Sequence, residues 1–198
     1  MIKRSAGRSR AGRLRIVAGK WRSRLLDIAD VPGLRPTPER VRETLFNWLS
    51  PAIEGARCLD LFAGTGALGL EALSRGAAAV VFVEKSTKAA TVLQRNVERL
   101  GASTATVRHA DAFEYLRQPA GGGFDIVFLD PPFSADKLDE LCRLIKAASI
   151  LAEGARIYVE EERHKPAVVL PEGWQAIKCG TAGNVRYSLL STGGGPRG

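Results

Sequence analysis

Asp130-Pro131-Pro132-Phe133 follows directly on the apolar run Ile126-Val127-Phe128-Leu129, an arrangement that can activate an amine. Two prolines fix the backbone, so the Asp130 carboxylate and the Pro131 carbonyl are expected to face one small space. Two acceptors there can take both N–H groups of an exocyclic amine and aim its nitrogen lone pair at an incoming methyl. Phe133 adds a flat surface on which a flipped base can stack. The competing reading, a proline turn that merely caps the next helix, is disfavoured by the position at a strand end.

A second constellation is Cys58-Leu-Asp60-Leu-Phe62-Ala-Gly64-Thr-Gly66-Ala-Leu-Gly69. Its G-x-G-x-x-G spacing lets the backbone turn tightly and approach a ligand. Glu84 closes the next strand, 20 residues after Gly64, where an acid can hold ribose hydroxyls. Nicotinamide and S-adenosylmethionine sites share both features. Asp60 separates them, because a carboxylate four residues before the first glycine opposes a pyrophosphate and suits a cationic methionine end. Asp111 can receive the adenine amino group, with the Ala112 amide against the ring, and can also cap a helix. With Phe62, Gly64 and Gly66 these residues form the expected cofactor site for S-adenosylmethionine, which leaves as S-adenosylhomocysteine.

The elements that must position these residues follow from periodicity. Strands are expected over 57–61, 79–84, 104–108, 124–129 and 155–161, and helices over 67–75, 87–100 and 136–149, with a short helical turn after Asp111. Such alternation implies a parallel sheet covered on both faces. Ser86 is the expected N-cap of the second of these helices and Gly101 its stop. Trp174–Cys179 and Val185–Leu190 should add an antiparallel hairpin at the sheet edge. Upstream, Leu14–Ala18 and Arg24–Ile28 pair as a hairpin. Thr37 is the expected N-cap, and Pro38 the first residue, of a helix with Val41, Leu45, Trp48 and Leu49 on one stripe and Arg40, Arg42 and Glu43 on other faces. The fold class is α/β, Rossmann-like.

The chain has 198 residues and a net charge of +8. Residues 1–24 hold nine basic groups and no acid, and the remaining 174 hold 20 basic and 21 acidic groups. The excess charge therefore sits in the N-terminal segment and suits a nucleic acid. Its Arg- and Ser-rich composition also resembles a transit peptide, but no apolar stretch follows it as in a secretory signal. Removing residues 1–24 is expected to weaken RNA binding and spare the cofactor site. The domain division is 1–12 as a disordered basic tail, 13–30 as an RNA-binding hairpin, 31–191 as the catalytic domain and 192–198 as a loose end. Cys58, Cys142 and Cys179 have no metal-ligand spacing and read as buried thiols of a cytoplasmic protein, with no metal expected. No apolar run is long enough to span a membrane. His109 and His164 are ordinary surface positions, and Glu160-Glu161-Glu162 is expected to face solvent.

Asp60 to Gly69 together with Asp130 to Phe133 resembles the class I S-adenosylmethionine methyltransferases that modify base amino groups. Gly19-Lys-Trp-Arg22, Leu34-Arg-Pro-Thr37, Arg40 to Leu49 and Leu68 to Arg75 resemble, more narrowly, the RsmD family, from about Leu14 to Leu190. The resemblance implies a seven-stranded methyltransferase sheet and methylation of guanine N2, at guanine-966, in 16S ribosomal RNA by a monomer acting on the small subunit or its precursor. Asp130, Pro131 and Phe133 would be catalytic, and Lys20, Arg22, Arg24, Arg35, Thr37 and Pro132 would meet RNA. The rivals are a DNA or RNA adenine-N6 methyltransferase, the DNA enzyme being disfavoured because the chain has no room for a sizeable target-reading insertion, and a non-catalytic RNA-binding module. A cytosine-C5 enzyme would need a Pro-Cys thiol, which is absent. A nicotinamide oxidoreductase would leave Asp130 to Phe133 unexplained.

Overall fold

The computed structural model describes residues 12–118, 121–132 and 137–193. Residues 1–11 of the basic tail, Phe133 and the last five residues lie outside this range. The chain opens on a hairpin of β1 (Arg13–Arg15) and β2 (Leu25–Asp27), with a 3-10 turn at Gly19–Trp21 between them, and continues into α1 (Glu39–Leu49). Then come β3 (Arg57–Asp60), α2 (Ala67–Ser74), β4 (Ala79–Glu84), α3 (Thr87–Leu100), β5 (Ala105–His109), α4 (Ala112–Arg117), β6 (Phe124–Leu129), α5 (Leu138–Ala147) and β7 (Leu151–Glu162). A closing hairpin comprises β8 (Gln175–Ala182) and β9 (Val185–Ser191).

Seven strands form one sheet in the order β5-β4-β3-β6-β7-β9-β8. Strands β3 to β7 are parallel, and β9 and β8 are antiparallel to their neighbours. The strand order reverses at β3, which pairs with β4 on one side and β6 on the other. The connections leaving β3 and β6 therefore run to opposite sides and open a crevice at their carboxyl ends, where open α/β sheets bind ligands. Helices α1, α2 and α3 and the N-terminal hairpin cover one face, whose core includes Leu14, Trp21, Leu45, Leu70, Phe82, Leu93 and Phe128. Helices α4 and α5 cover the other, around Leu59, Val127, Leu141, Ile145 and Val159. Burial on both faces is why β6 reads as a continuous apolar run. No helix among the described residues is long and apolar enough to cross a membrane.

Local sequence explains both ends of α3. Ser86 Oγ accepts from the Ala89 amide at 3.3 Å and starts α3, and Gly101, at φ 64°, stops it, as the sequence implied. Glycine at position 69 is dictated by packing. A Cβ there would stand 2.2 Å from the Phe82 ring and 2.9 Å from Val80 Cγ1, so α2 could not lie this close to β4. Gly69→Ala is expected to destabilise the fold by about 2–3 kcal/mol through overpacking, read as a lowered denaturation midpoint.

Three expectations are corrected and one is extended. Pro38, not Thr37, occupies the N-cap of α1, and no side chain caps the helix; the Thr37 hydroxyl turns instead toward Asp130. Arg42 lies off the apolar stripe but is 1% exposed, because the N-terminal hairpin covers that side of α1 and supplies it with partners. Glu160 and Glu161 are buried, since β7 stays paired with β9 through Glu162. Cys58 and Cys142 are buried as expected, but Cys179 is exposed on the edge strand β8.

The hairpin also does more than carry charge. Leu14, Ile16, Trp21 and Leu26 are buried in the main core, and the Trp21 amide donates to Ser74 Oγ of α2 at 3.0 Å. Removing residues 1–24 would therefore open the core, whereas removing 1–11 takes away Lys3, Arg4, Arg8 and Arg10 alone.

Candidate active site

Asp60 ends β3, Asp130 follows β6, and Glu160 lies near the end of β7, so adjacent parallel strands deliver three carboxyls to one rim. The register places them side by side. Leu129 pairs with Val159, making Asp130 and Glu160 the next residues in line. The Thr37 hydroxyl is 3.5 Å from Asp130 Oδ2, and the Tyr158 hydroxyl donates to Glu160 Oε1 at 2.7 Å. Burial of the Asp130 carboxyl, reinforced by the charges of Glu160 and Asp60, holds its pKa well above the ordinary carboxylate range, with Thr37 opposing the shift. Burial likewise raises Glu160, against the hydrogen bonds of Tyr158 and Thr37. Pro131 is buried and Pro132 exposed.

Asp60 is 3% exposed, and its Oδ2 accepts the Gly69 amide of α2 at 3.1 Å. Burial pushes its pKa up to about 7, while the Gly69 and Phe62 amides favour the charged form and Glu84 disfavours it. Glu84 holds the glycine loop, Oε2 accepting the Gly64 amide at 2.7 Å and Oε1 the Ser86 amide at 2.6 Å. Gly64 and Gly66 have φ of 51° and 77°, the left-handed region that glycine permits. At Gly66 a Cβ would also strike Leu93 Cδ1 at 2.4 Å, so this glycine serves the packing of α3 as well as the loop. Phe62 is half-buried beside the loop.

The β5 end brings Asp111 to the same rim, because the Ala110 amide donates to the Glu84 carbonyl at 3.1 Å. Asp111 Oδ1 accepts the Phe113 and Glu114 amides at the start of α4, where Ala112 is the first residue. Its Oδ2 receives Lys85 Nζ at 3.1 Å, and that lysine is the main reason its pKa falls below the ordinary value. The cap is thus real, and the adenine-binding role would share the same carboxyl.

A cavity of about 460 Å³ adjoins the turn, bounded by Pro131, Pro132, Leu138, Glu160 and the segment from Lys165 to Val169. Of the residues expected to meet RNA, Lys20, Arg22 and Arg24 are exposed on the N-terminal hairpin, Arg35 is exposed before α1, and Thr37 is buried against Asp130. Phe133 lies outside the described residues. Glu160 was missed because a run of three glutamates reads as a solvated surface. Its one available signal was the strand register that sets it beside Asp130.

The family model described as conserved hypothetical protein 95 matches residues 14–191. Ribosomal RNA small subunit methyltransferase D of Escherichia coli K12 is 46% identical over 181 residues, covering 91% of each chain. The Haemophilus influenzae protein of the same name is 45% identical, covering 90% of this chain and 93% of its own. The solved structure of yhhF from Escherichia coli superposes with a TM-score of 0.86 at 43% identity, covering 92% of this chain and 99% of that one. With near full-length identity of this order to proteins of that name, and the family model spanning residues 14–191, this chain belongs to the conserved hypothetical protein 95 family, which is the RsmD family.

Proposed function

We propose that this chain transfers a methyl group from S-adenosylmethionine to the exocyclic N2 of a guanine in small-subunit (16S) ribosomal RNA, guanine-966 being the position implied by the family resemblance. The relatives' names support ribosomal RNA as substrate. The observation that carries the amine chemistry is Asp130 and Pro131 at the end of β6, one strand from Asp60. The donor set suits the cofactor: Asp60 is a buried carboxyl with one amide partner for Oδ2, set beside a glycine loop that Glu84 holds in place. Bound there, S-adenosylmethionine supplies an electrophilic methyl on a sulfonium, already a good leaving group.

Positioning and charge placement then supply most of the acceleration. The Asp130 carboxylate and the Pro131 carbonyl each accept one N–H of the amine, turning its lone pair toward the methyl. The nitrogen would take the methyl that bound S-adenosylmethionine supplies, and sulfur would keep the electron pair of the broken C–S bond. The surplus proton of the alkylated nitrogen passes to Asp130, whose raised pKa suits it to receive one. The reaction requires ionised Asp130, so turnover is expected to rise with pH as that carboxyl ionises.

Asp60 sets a second pH dependence. A cationic ligand favours the charged carboxylate, so cofactor affinity is expected to rise as pH increases through about 7. Binding below that pH should release protons, measured by calorimetry in two buffers of different ionisation enthalpy. The sign for the free protein is opposite. A carboxyl raised by the fold contributes stability that is complete at low pH and lost as pH rises through about 7.

The proposal is tested with small subunits, and RNA extracted from them, from cells lacking this protein. Incubation with labelled S-adenosylmethionine should yield N2-methylguanosine at one site. Labelled N6-methyladenosine would transfer the assignment to adenine, and absence of label from both substrates would overturn the catalytic reading.

A further inference from the structure

The site holds more acceptors than one amino group requires. Asp130 and Glu160 present their carboxyls side by side. Among the described residues the groups bonded to them are the Tyr158 hydroxyl, on Glu160 Oε1, and the Thr37 hydroxyl, on Asp130 Oδ2. Thr37 also stabilises the charge of Glu160, yet its hydroxyl has a single proton to share between the two. Glu160 is 4% exposed and lines the cavity together with Pro131 and Pro132. A buried carboxylate with spare acceptor capacity beside Asp130 is matched by a donor on whatever Asp130 binds.

We propose that Glu160 determines base specificity, accepting the ring N1–H of guanine while Asp130 and Pro131 hold the adjacent amino group. This inference rests on the guanine-N2 reading above. Guanine alone among the four bases places a ring N–H directly beside an exocyclic amine. Adenine and cytosine place a bare ring nitrogen there, whose lone pair would face the carboxylate. The Tyr158 bond to Oε1 fixes the side chain beside Asp130.

The test compares RNA carrying the target guanine with the same RNA carrying 2-aminopurine there, which keeps the amine but lacks N1–H. The wild-type protein is expected to methylate the analogue about 100-fold more slowly or worse, because a site built around an N–H rejects a ligand without it. Equal turnover of the two RNAs would overturn the proposal, and this comparison needs no variant that could misfold. Glu160→Gln can turn its amide N–H toward the bare ring nitrogen. It is expected to lose turnover on guanine and to shrink the preference over 2-aminopurine to about tenfold or less. An unchanged preference in a folded, cofactor-binding Glu160→Gln protein would also overturn it. Failure of the underlying reading is distinguishable, since the wild-type protein would then form no N2-methylguanosine on the guanine RNA, and the inference would fall with it.

Discussion

Replacing Asp130 with alanine is expected to reduce methyl transfer by about 10³-fold or more, while S-adenosylmethionine affinity stays within a few-fold of wild type. The carboxylate is needed at the moment the amine attacks, to accept one N–H and then the surplus proton, and the neighbouring Pro131 carbonyl replaces neither function. The cofactor site is built from Asp60, Glu84 and the glycine loop, which hold one another through the Gly69 and Gly64 amides without Asp130. Single-turnover transfer and equilibrium cofactor binding, measured on the same variant, separate the two. Stability should move the other way. The fold raises the pKa of Asp130, so its ionisation costs stability above that pKa, and Asp130→Ala or Asp130→Asn should equal or exceed wild type in melting temperature at alkaline pH. A residue whose removal stabilises the protein and abolishes turnover is retained for chemistry. Turnover at the wild-type rate would refute the role.

What the sequence disclosed was what local pattern can encode. Alternating apolar strands and capped helices identify a parallel sheet, because buried strands and amphipathic helices have different periods. A glycine loop and an Asp-Pro-Pro turn, each directly after an apolar run, mark strand ends. Neighbouring strands in space are not encoded this way. Glu160 lies 30 residues from Asp130 and meets it through the register of β6 with β7, which no local period reveals. Thr37 has the right residue type and position for a cap, but the tertiary position of α1 gives its hydroxyl a carboxyl instead. Charge dominates the composition of the N-terminal segment, yet its alternating Leu14 and Ile16 and the later Trp21 and Leu26 are what join it to the core. No local pattern marks Arg42 as buried, because a helical arginine is ordinarily solvated and its partner Glu71 lies on the next helix, beyond β3.

That pair produces the largest expected change in stability. Glu71 is fully buried, and each of its oxygens is used twice. Oε2 accepts the Val17 amide at 2.8 Å and Arg42 at 3.1 Å, and Oε1 accepts the Ala18 amide at 2.9 Å and Arg75 at 2.8 Å. Arg42 in turn donates to the Arg15 carbonyl at 2.8 Å and the Thr37 carbonyl at 3.1 Å. One carboxylate thus fastens the hairpin to α1 and α2 and, through Arg42, fixes the residue that touches Asp130. Glu71→Ala would leave a guanidinium buried without its counter-charge and two hairpin amides without acceptors, at a cost of about 3–5 kcal/mol. Glu71→Gln keeps the shape and one acceptor oxygen and should lose less. The loss should be nearly independent of salt, because the pair is shielded from counterions. Chemical denaturation measures it, and amide exchange at Val17 and Ala18 localises it. If the hairpin is held mainly by Leu14, Ile16 and Trp21, those amides will stay protected in Glu71→Ala. If the carboxylate is the fastening, they will exchange well before the sheet opens, and turnover will fall as Thr37 loses its hold on Asp130.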